Sequence, residues 1–262
     1  MQKYMQIYKA TILENLQYIS NILIRLISFI IMIFVLFNLW QYLYKDSSDT
    51  INGYTLNQML WYVLITEGIW FGVRNKAFSY EISDNIKSGN IAYNVNKPYN
   101  YVVYVIFKNL GDITIKGIIF GLVVIIFGNV FIGSLNIPLI SIPIILLTLI
   151  ICVFIHSMIT ISISLISFWI EDSTPFHWVY DKMILIFGTL LPIEMFPMFL
   201  RPIISCLPTY AIMYGPAKLI IDFSFDNFIK IFLVQVIYLL ISGIVMSLMF
   251  SRGVKKLNVN GG

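Results

Sequence analysis

The feature that most limits what this chain can become is a succession of long apolar runs almost empty of charge. Asn21–Tyr42 is the first and Leu56–Gly72 the second. A third runs from near Ile113 to about Phe131, a fourth covers Ile144–Ile170, a fifth starts near Met183 and a sixth covers Leu233–Phe250. About 20 apolar residues in helical form cross the hydrocarbon core of a bilayer. In that solvent every backbone N–H and C=O must be paired internally, which leaves helices and closed barrels. Runs of this length without alternation favour helices. Of the 262 residues, 59% are hydrophobic and only 11% charged, against about a quarter charged in a soluble domain. The expected fold is an all-α membrane protein with six transmembrane helices in a single domain over residues 1–262. The first run starts well inside the chain and is too long for the apolar part of a cleavable signal, so it is expected to remain as a span.

Charge placement gives the expected orientation. Arginine and lysine at positions 3, 9, 25, 74, 76, 87, 97, 108, 182, 252, 255 and 256 fall on the side of the termini. Positions 45, 201, 218 and 230 fall on the other, and Lys116 is ambiguous. The positive-inside rule then makes both termini cytoplasmic. Trp40 and Trp61 sit at outer borders, and Trp70, Trp169 and Trp178 at inner ones. Residues 1–20 carry Tyr4, Ile7, Tyr8, Ile12, Leu16 and Ile19 at helical spacing, with Lys3, Lys9 and Glu14 between them. An interfacial helix preceding the first span is expected there.

The longest polar segment is 74–100, on the cytoplasmic side. Phe78, Ile82 and Ile86 recur every four residues and share a helix face, with Glu81, Asp84, Asn85 and Lys87 on the others. Gly89 follows as a helix stop. Ile91, Tyr93 and Val95 alternate with Ala92, Asn94 and Asn96, which predicts an extended stretch. Pro98 fixes a turn or opens the next helix. The apolar face lies on the bilayer or under its own bundle, or else it docks into another protein; docking is the sharper expectation. In that next helix Lys108, Asp112 and Lys116 form a stripe of alternating charge before the chain enters the membrane.

Residues 188–221 differ from the rest. Pro192, Pro197, Pro202, Pro208 and Pro216 break the segment repeatedly. The expectation is short re-entrant helices over 192–221, dipping back from the outer face before the last span. An ordinary outer loop is the other reading.

No catalytic constellation is present. The chain lacks G-x-x-x-x-G-K-[ST], H-E-x-x-H and a nucleophile elbow, so it is not expected to be an enzyme or to bind ATP by a P-loop. Cys152 with His156, and His177 with Asp181, are each four apart, but two ligands do not make a metal site. No cofactor, metal or nucleic-acid partner is expected. Polar residues inside the spans are the remaining candidates. Glu67 lies within the second run, where a carboxyl must be paired or wet. Lys108 or Lys116 is the expected partner if it is structural, and a place in a translocation path is expected if it is not. Ser157, Thr160, Ser164 and Ser167 form a small polar stripe that suits helix packing or, less readily, such a path. Arg25, at the start of the first run, is expected to snorkel to the headgroups.

In order and pattern the whole chain resembles membrane subunits of ABC-2 type transporters, in particular six-span bacterial permeases of the viologen-exporter-like branch. The resemblance is carried by Ser88-Gly89-Asn90-Ile91 with Lys97-Pro98, by Pro192 to Pro197, and by Leu207-Pro208 with Pro216. It implies a bacterial cell-membrane exporter built as a dimer of permeases. Each permease would engage a cytoplasmic ATPase through the helix after span two, placing Phe78, Glu81, Ile82, Asp84, Ile86, Gly89 and Pro98 at the coupling site. The cargo it implies is amphipathic compounds, peptides or glycan-linked lipids. The alternatives are a membrane scaffold, sensor or immunity protein, or a secondary transporter. Against the last, the first half has no counterpart to the proline-rich segment.

Overall fold

A computed structural model describes residues 1–45, 50–135 and 137–257. Its hub is α3 (Leu56–Val73), in which every residue from Met59 to Gly68 is buried. A helix covered by protein on all sides has no need of a lipid-facing stripe, so Thr66 and Glu67 can sit at its middle. Thr55 and Gln58 close a capping box at its start.

Around α3 stand four helices that are, among the described residues, long and apolar enough to cross a membrane. They are α2 (Ile19–Tyr44), α6 (Tyr101–Phe131), α7 (Ile142–Leu165) and α11 (Phe225–Leu257). Phe29 of α2 meets Phe71 of α3 and Phe120 of α6 edge-on at 5.4 and 5.5 Å, a favoured aromatic geometry. Trp61 packs directly on the backbone of Gly128, where an added Cβ would lie 2.0 Å from the ring. Its indole N–H donates to the Gly133 carbonyl, 3.1 Å away. Outward, Ile27, Ile31 and Phe34 of α2 and Leu233, Ile237 and Leu240 of α11 are exposed, as lipid-facing surfaces require.

The other elements gather at the ends of the bundle. At one end, α1 (Gln2–Gln17) lies along α6: Tyr8 meets Thr114 at 3.1 Å, and Tyr4 accepts from the Asn100 N–H at 2.9 Å. The surface-lying helix expected for residues 1–20 is thus docked on a neighbour, with Leu13 and Leu16 left exposed. The same end holds α4 (Lys76–Lys87), α5 (Asn90–Val95) and the close of α11, whose Phe250 stacks on Tyr101 at 5.7 Å.

At the opposite end, β1 (Thr50–Ile51) and β2 (Tyr54–Thr55) form a small hairpin, the one departure from an all-α fold among the described residues. Asn52 and Gly53 make its turn with positive φ, the local choice that an Asn-Gly pair favours. The proline-rich segment lies here too. It is broken into a short 3-10 turn (Ile193–Met195), α9 (Arg201–Ser205), a π turn (Tyr210–Tyr214) and α10 (Gly215–Ile221). Pro202 sits in the first turn of α9, where a missing N–H costs nothing, and Pro216 follows directly on the π turn Tyr210–Tyr214. Ile204, Ile212, Tyr214 and Ala217 are buried against the bundle, so this is packed structure and not an open loop.

Between the two ends runs α8 (Thr174–Ile184), which continues as a π turn over Leu185–Leu190. Asp181 in the last turn of α8 pairs with Arg74 at one end, while Glu194 just beyond the π turn accepts from Tyr54 at the other. The segment therefore covers the same distance as α3.

Candidate functional site

The polar stretch 74–100 folds as an elbow. Asn75 caps α4 by accepting from the Phe78 N–H at 3.2 Å, and its amide donates to Asp112 at 2.7 Å. That second bond ties the start of α4 to α6. Asp112 is also held by Lys116 one turn on. Lys108 reaches across to Glu81, with Nζ 2.7 Å from Oε2. The expected charged stripe therefore divides between its own helix and α4, which it holds in place.

Phe78, Ile82 and Ile86 are buried in this chain's own bundle, against Ile161 and Leu165 of α7, Val102 and Val105 of α6, and Met246 of α11. The expectation that this face enters a groove on another protein is corrected by that packing. A coupling surface here must use the opposite face. On that side Ala77, Tyr80, Glu81, Asp84 and Ser88 are exposed.

Gly89 sits where the sequence placed a stop, with φ at +76°. Its N–H donates to the Ile86 carbonyl at 3.2 Å, closing α4 through a left-handed residue. The extended stretch expected after it is instead the helix α5. Ile91 and Val95 are four apart as well as alternating with polar residues, so the pattern serves either structure. The Gly89 corner aims Ile91 into the bundle at 0% exposure and leaves Tyr93 72% exposed. Pro98 lies in the turn before α6, beside Met1, Lys3 and Tyr4, and does not open the helix.

Glu67 is 1% exposed, and its Oε1 has no hydrogen-bond partner. Neither lysine expected to neutralise it does so, because Lys108 holds Glu81 and Lys116 holds Asp112. Arg25 does not snorkel; its Nη1 donates to the Arg74 carbonyl at 3.0 Å, completing the end of α3. In the α7 stripe, Ser157 accepts from the Asn109 amide at 2.9 Å, and Ser164 donates to the Ser79 carbonyl at 3.0 Å. Both serines are fully buried and join helices. Thr160 donates to the His156 carbonyl and lines a cleft at the elbow.

Several contacts here lay beyond what spacing could show. Arg74 pairs with Asp181 at 2.8 Å, Ser83 meets Ser173 at 2.7 Å, and His177 Nε2 meets Ser164 at 3.0 Å. The flagged pairs Cys152/His156 and His177/Asp181 do converge on one region, yet no group of three metal-type ligands forms among the described residues. At the loop before α8, Asp172 accepts from the Thr174 hydroxyl and N–H, which lowers its carboxyl pKa. At the opposite end Glu194 accepts from Tyr54 at 3.1 Å and Tyr214 at 2.7 Å, while Arg201 donates to the Glu194 carbonyl at 2.7 Å.

A helical bundle with exposed apolar helices, and a polar elbow anchored at one end, fits an integral membrane protein. A family model described as ABC-2 family transporter protein matches residues 10–261, and the chain belongs to that family. It is a permease component of an ABC transporter, and such permeases generally partner with an ATPase subunit. No curated protein matches the chain.

Proposed function

We propose that this chain is the membrane-spanning subunit of a bacterial ABC exporter, forming part of the translocation path and driven by a separate ATPase. Six crossings are proposed: the four long apolar helices together with α3 and the segment that starts near Met183. Both termini and α4 then lie in the cytoplasm, as the arginine and lysine asymmetry favours. The segment 192–221 is the proposed outer re-entrant region. A second permease, identical or a sister chain, completes the path. The cargo is of the amphipathic, peptide or lipid-linked kind, and Glu67 and Thr160 are the stripe and span residues retained as candidates for contact with it.

One observation carries the coupling role. The apolar face of α4 is fixed inside the bundle while Tyr80, Glu81 and Asp84 face out. A helix fastened on one face and polar on the other can transmit a push without leaving its seat. We assign Phe78, Ile82 and Ile86 as anchors, Gly89 and Pro98 as the corners, and the outward face as the ATPase contact.

The double variant Tyr80→Ala, Asp84→Lys tests this. Both side chains are exposed, so membrane insertion and thermal stability should match the natural chain. Recovery of the ATPase in affinity purification should fall at least about tenfold, as loss of an aromatic anchor with charge reversal at an interface predicts. Full ATPase recovery would exclude this face as the contact.

A further inference from the structure

The cleft at the elbow has a chemistry of its own. It encloses about 60 Å³ between the α3–α4 junction, α7 and α8, room for a few water molecules or one small anionic group. Two cations line it, Arg74 and Lys76, against one carboxylate, Asp181. Arg74 uses Nη2 on Asp181 at 2.8 Å, and Lys76 stands 3.8 Å from the same oxygen. One acid therefore serves two bases. The Arg74 Nε is buried and has no hydrogen-bond partner. Buried donors are normally satisfied, and a guanidinium edge presents paired donors that match the oxygens of a phosphate.

The guanidinium also lies over the Trp70 ring, 5.1 Å from its centroid, which fixes its plane. Thr160 adds a hydroxyl to the wall.

An exposed aromatic surface adjoins the cleft. Trp178 lines it and is 61% exposed. Phe176 and Val179 are exposed beside it, and Lys182 lies over the Trp178 ring at 5.6 Å. Tryptophan with lysine is the side-chain pairing that settles at headgroup depth.

We propose that this cleft binds a phosphate group, carried by a lipid headgroup or as the free anion, with Arg74 and Lys76 as its ligands and Asp181 as the competing internal anion. A bound phosphate would touch α3, α4, α7 and α8 together. The proposal does not depend on whether an ATPase docks on α4.

The test is calorimetric titration of the full chain in an uncharged detergent. The probes are dioctanoyl phosphatidic acid, dioctanoylglycerol as the phosphate-free control, and potassium phosphate against potassium chloride. Phosphatidic acid, potassium phosphate or both should bind saturably, and dioctanoylglycerol should not. Binding of the lipid alone assigns a headgroup site, whereas saturable binding of potassium phosphate assigns recognition of the free anion. Arg74→Gln should weaken binding about tenfold or more, and Lys76→Gln several-fold. Because Lys76 is more than half exposed, its variant should fold even if Arg74→Gln does not. Asp181→Asn should bind more tightly, since the competing charge is gone. Failure of both phosphate probes to bind, or unchanged affinity in both Lys76→Gln and Asp181→Asn, overturns the proposal.

Discussion

A single residue, Gly89, sets the angle between α4 and α5. Its φ of +76° lies where side chains with a Cβ are strained, while the space around it is open, with nothing near the Cβ position. Gly89→Val therefore meets a backbone penalty and no steric clash, about 1–2 kcal/mol. The expected outcome is a modest fall in Tm, normal membrane insertion, partial retention of the ATPase and poor transport. Wild-type transport by Gly89→Val would show that the corner angle is not needed. This cap was readable in the sequence because its cause is local: the last periodic residue is followed by the residue type that a left-handed turn prefers. The surroundings of Glu67 and the partners of Arg25 and Arg74 were not readable. Each depends on which helix lies alongside, and a charge pattern along one helix does not contain that information. Lys108 illustrates this, for it answers Glu81 on another element and not the carboxyl inside the bundle.

At the scale of an element, α4 shows how an amphipathic pattern states that a face is covered without stating by what. Phe78, Ile82 and Ile86 gave the helix, its register and its buried side from sequence alone. That the cover is α6, α7 and α11 of the same chain follows from the tertiary fold. The consequence for Ile82 is specific. Ile82→Asp removes a buried aliphatic side chain, worth roughly 1.5–3 kcal/mol, and leaves an unpaired carboxylate among apolar groups, which costs more. The loss should total on the order of 3–5 kcal/mol. It should appear as low yield and a large fall in Tm of the permease itself, before any question of ATPase recovery arises. A stable, normally expressed Ile82→Asp chain lacking only its ATPase would mean that this face is available to a partner. The broken segment 192–221 was legible for the same reason as Gly89, since proline acts on its own backbone. By contrast α3, buried on every side, reads as a weaker span than it is a helix, because protein contact relieves it of the need to be apolar throughout.

For the whole molecule, the chain's two described ends and α4 share one end of the bundle, and Cys206 is exposed at the other. An impermeant thiol reagent should therefore label the natural protein in intact cells, since Cys152 is buried. Cys206→Ser should abolish that labelling, and adding Ser224→Cys should restore it. Adding Ser88→Cys instead should give labelling only after permeabilisation, and labelling of sealed cells at that position would invert the orientation. The corresponding outer position Ser48 lies outside the described residues. Permease pairing is expected as well, with cross-links in native membranes to a second permease, a copy or a sister chain. The lengths of the elements have a mechanical consequence. At 31 residues α6 is about 46 Å long, whereas a bilayer core is about 30 Å thick. Its first turns must stand clear of the hydrocarbon, braced by α1 through Tyr4–Phe107 and by α4 through Lys108–Glu81. The helix is then a lever with its fulcrum at the membrane boundary. A tilt of about 10° over an arm of about 18 Å, twelve residues of helix, displaces the tip by about 3 Å, and the same rotation carries the far end through a larger arc on the opposite side of the bilayer.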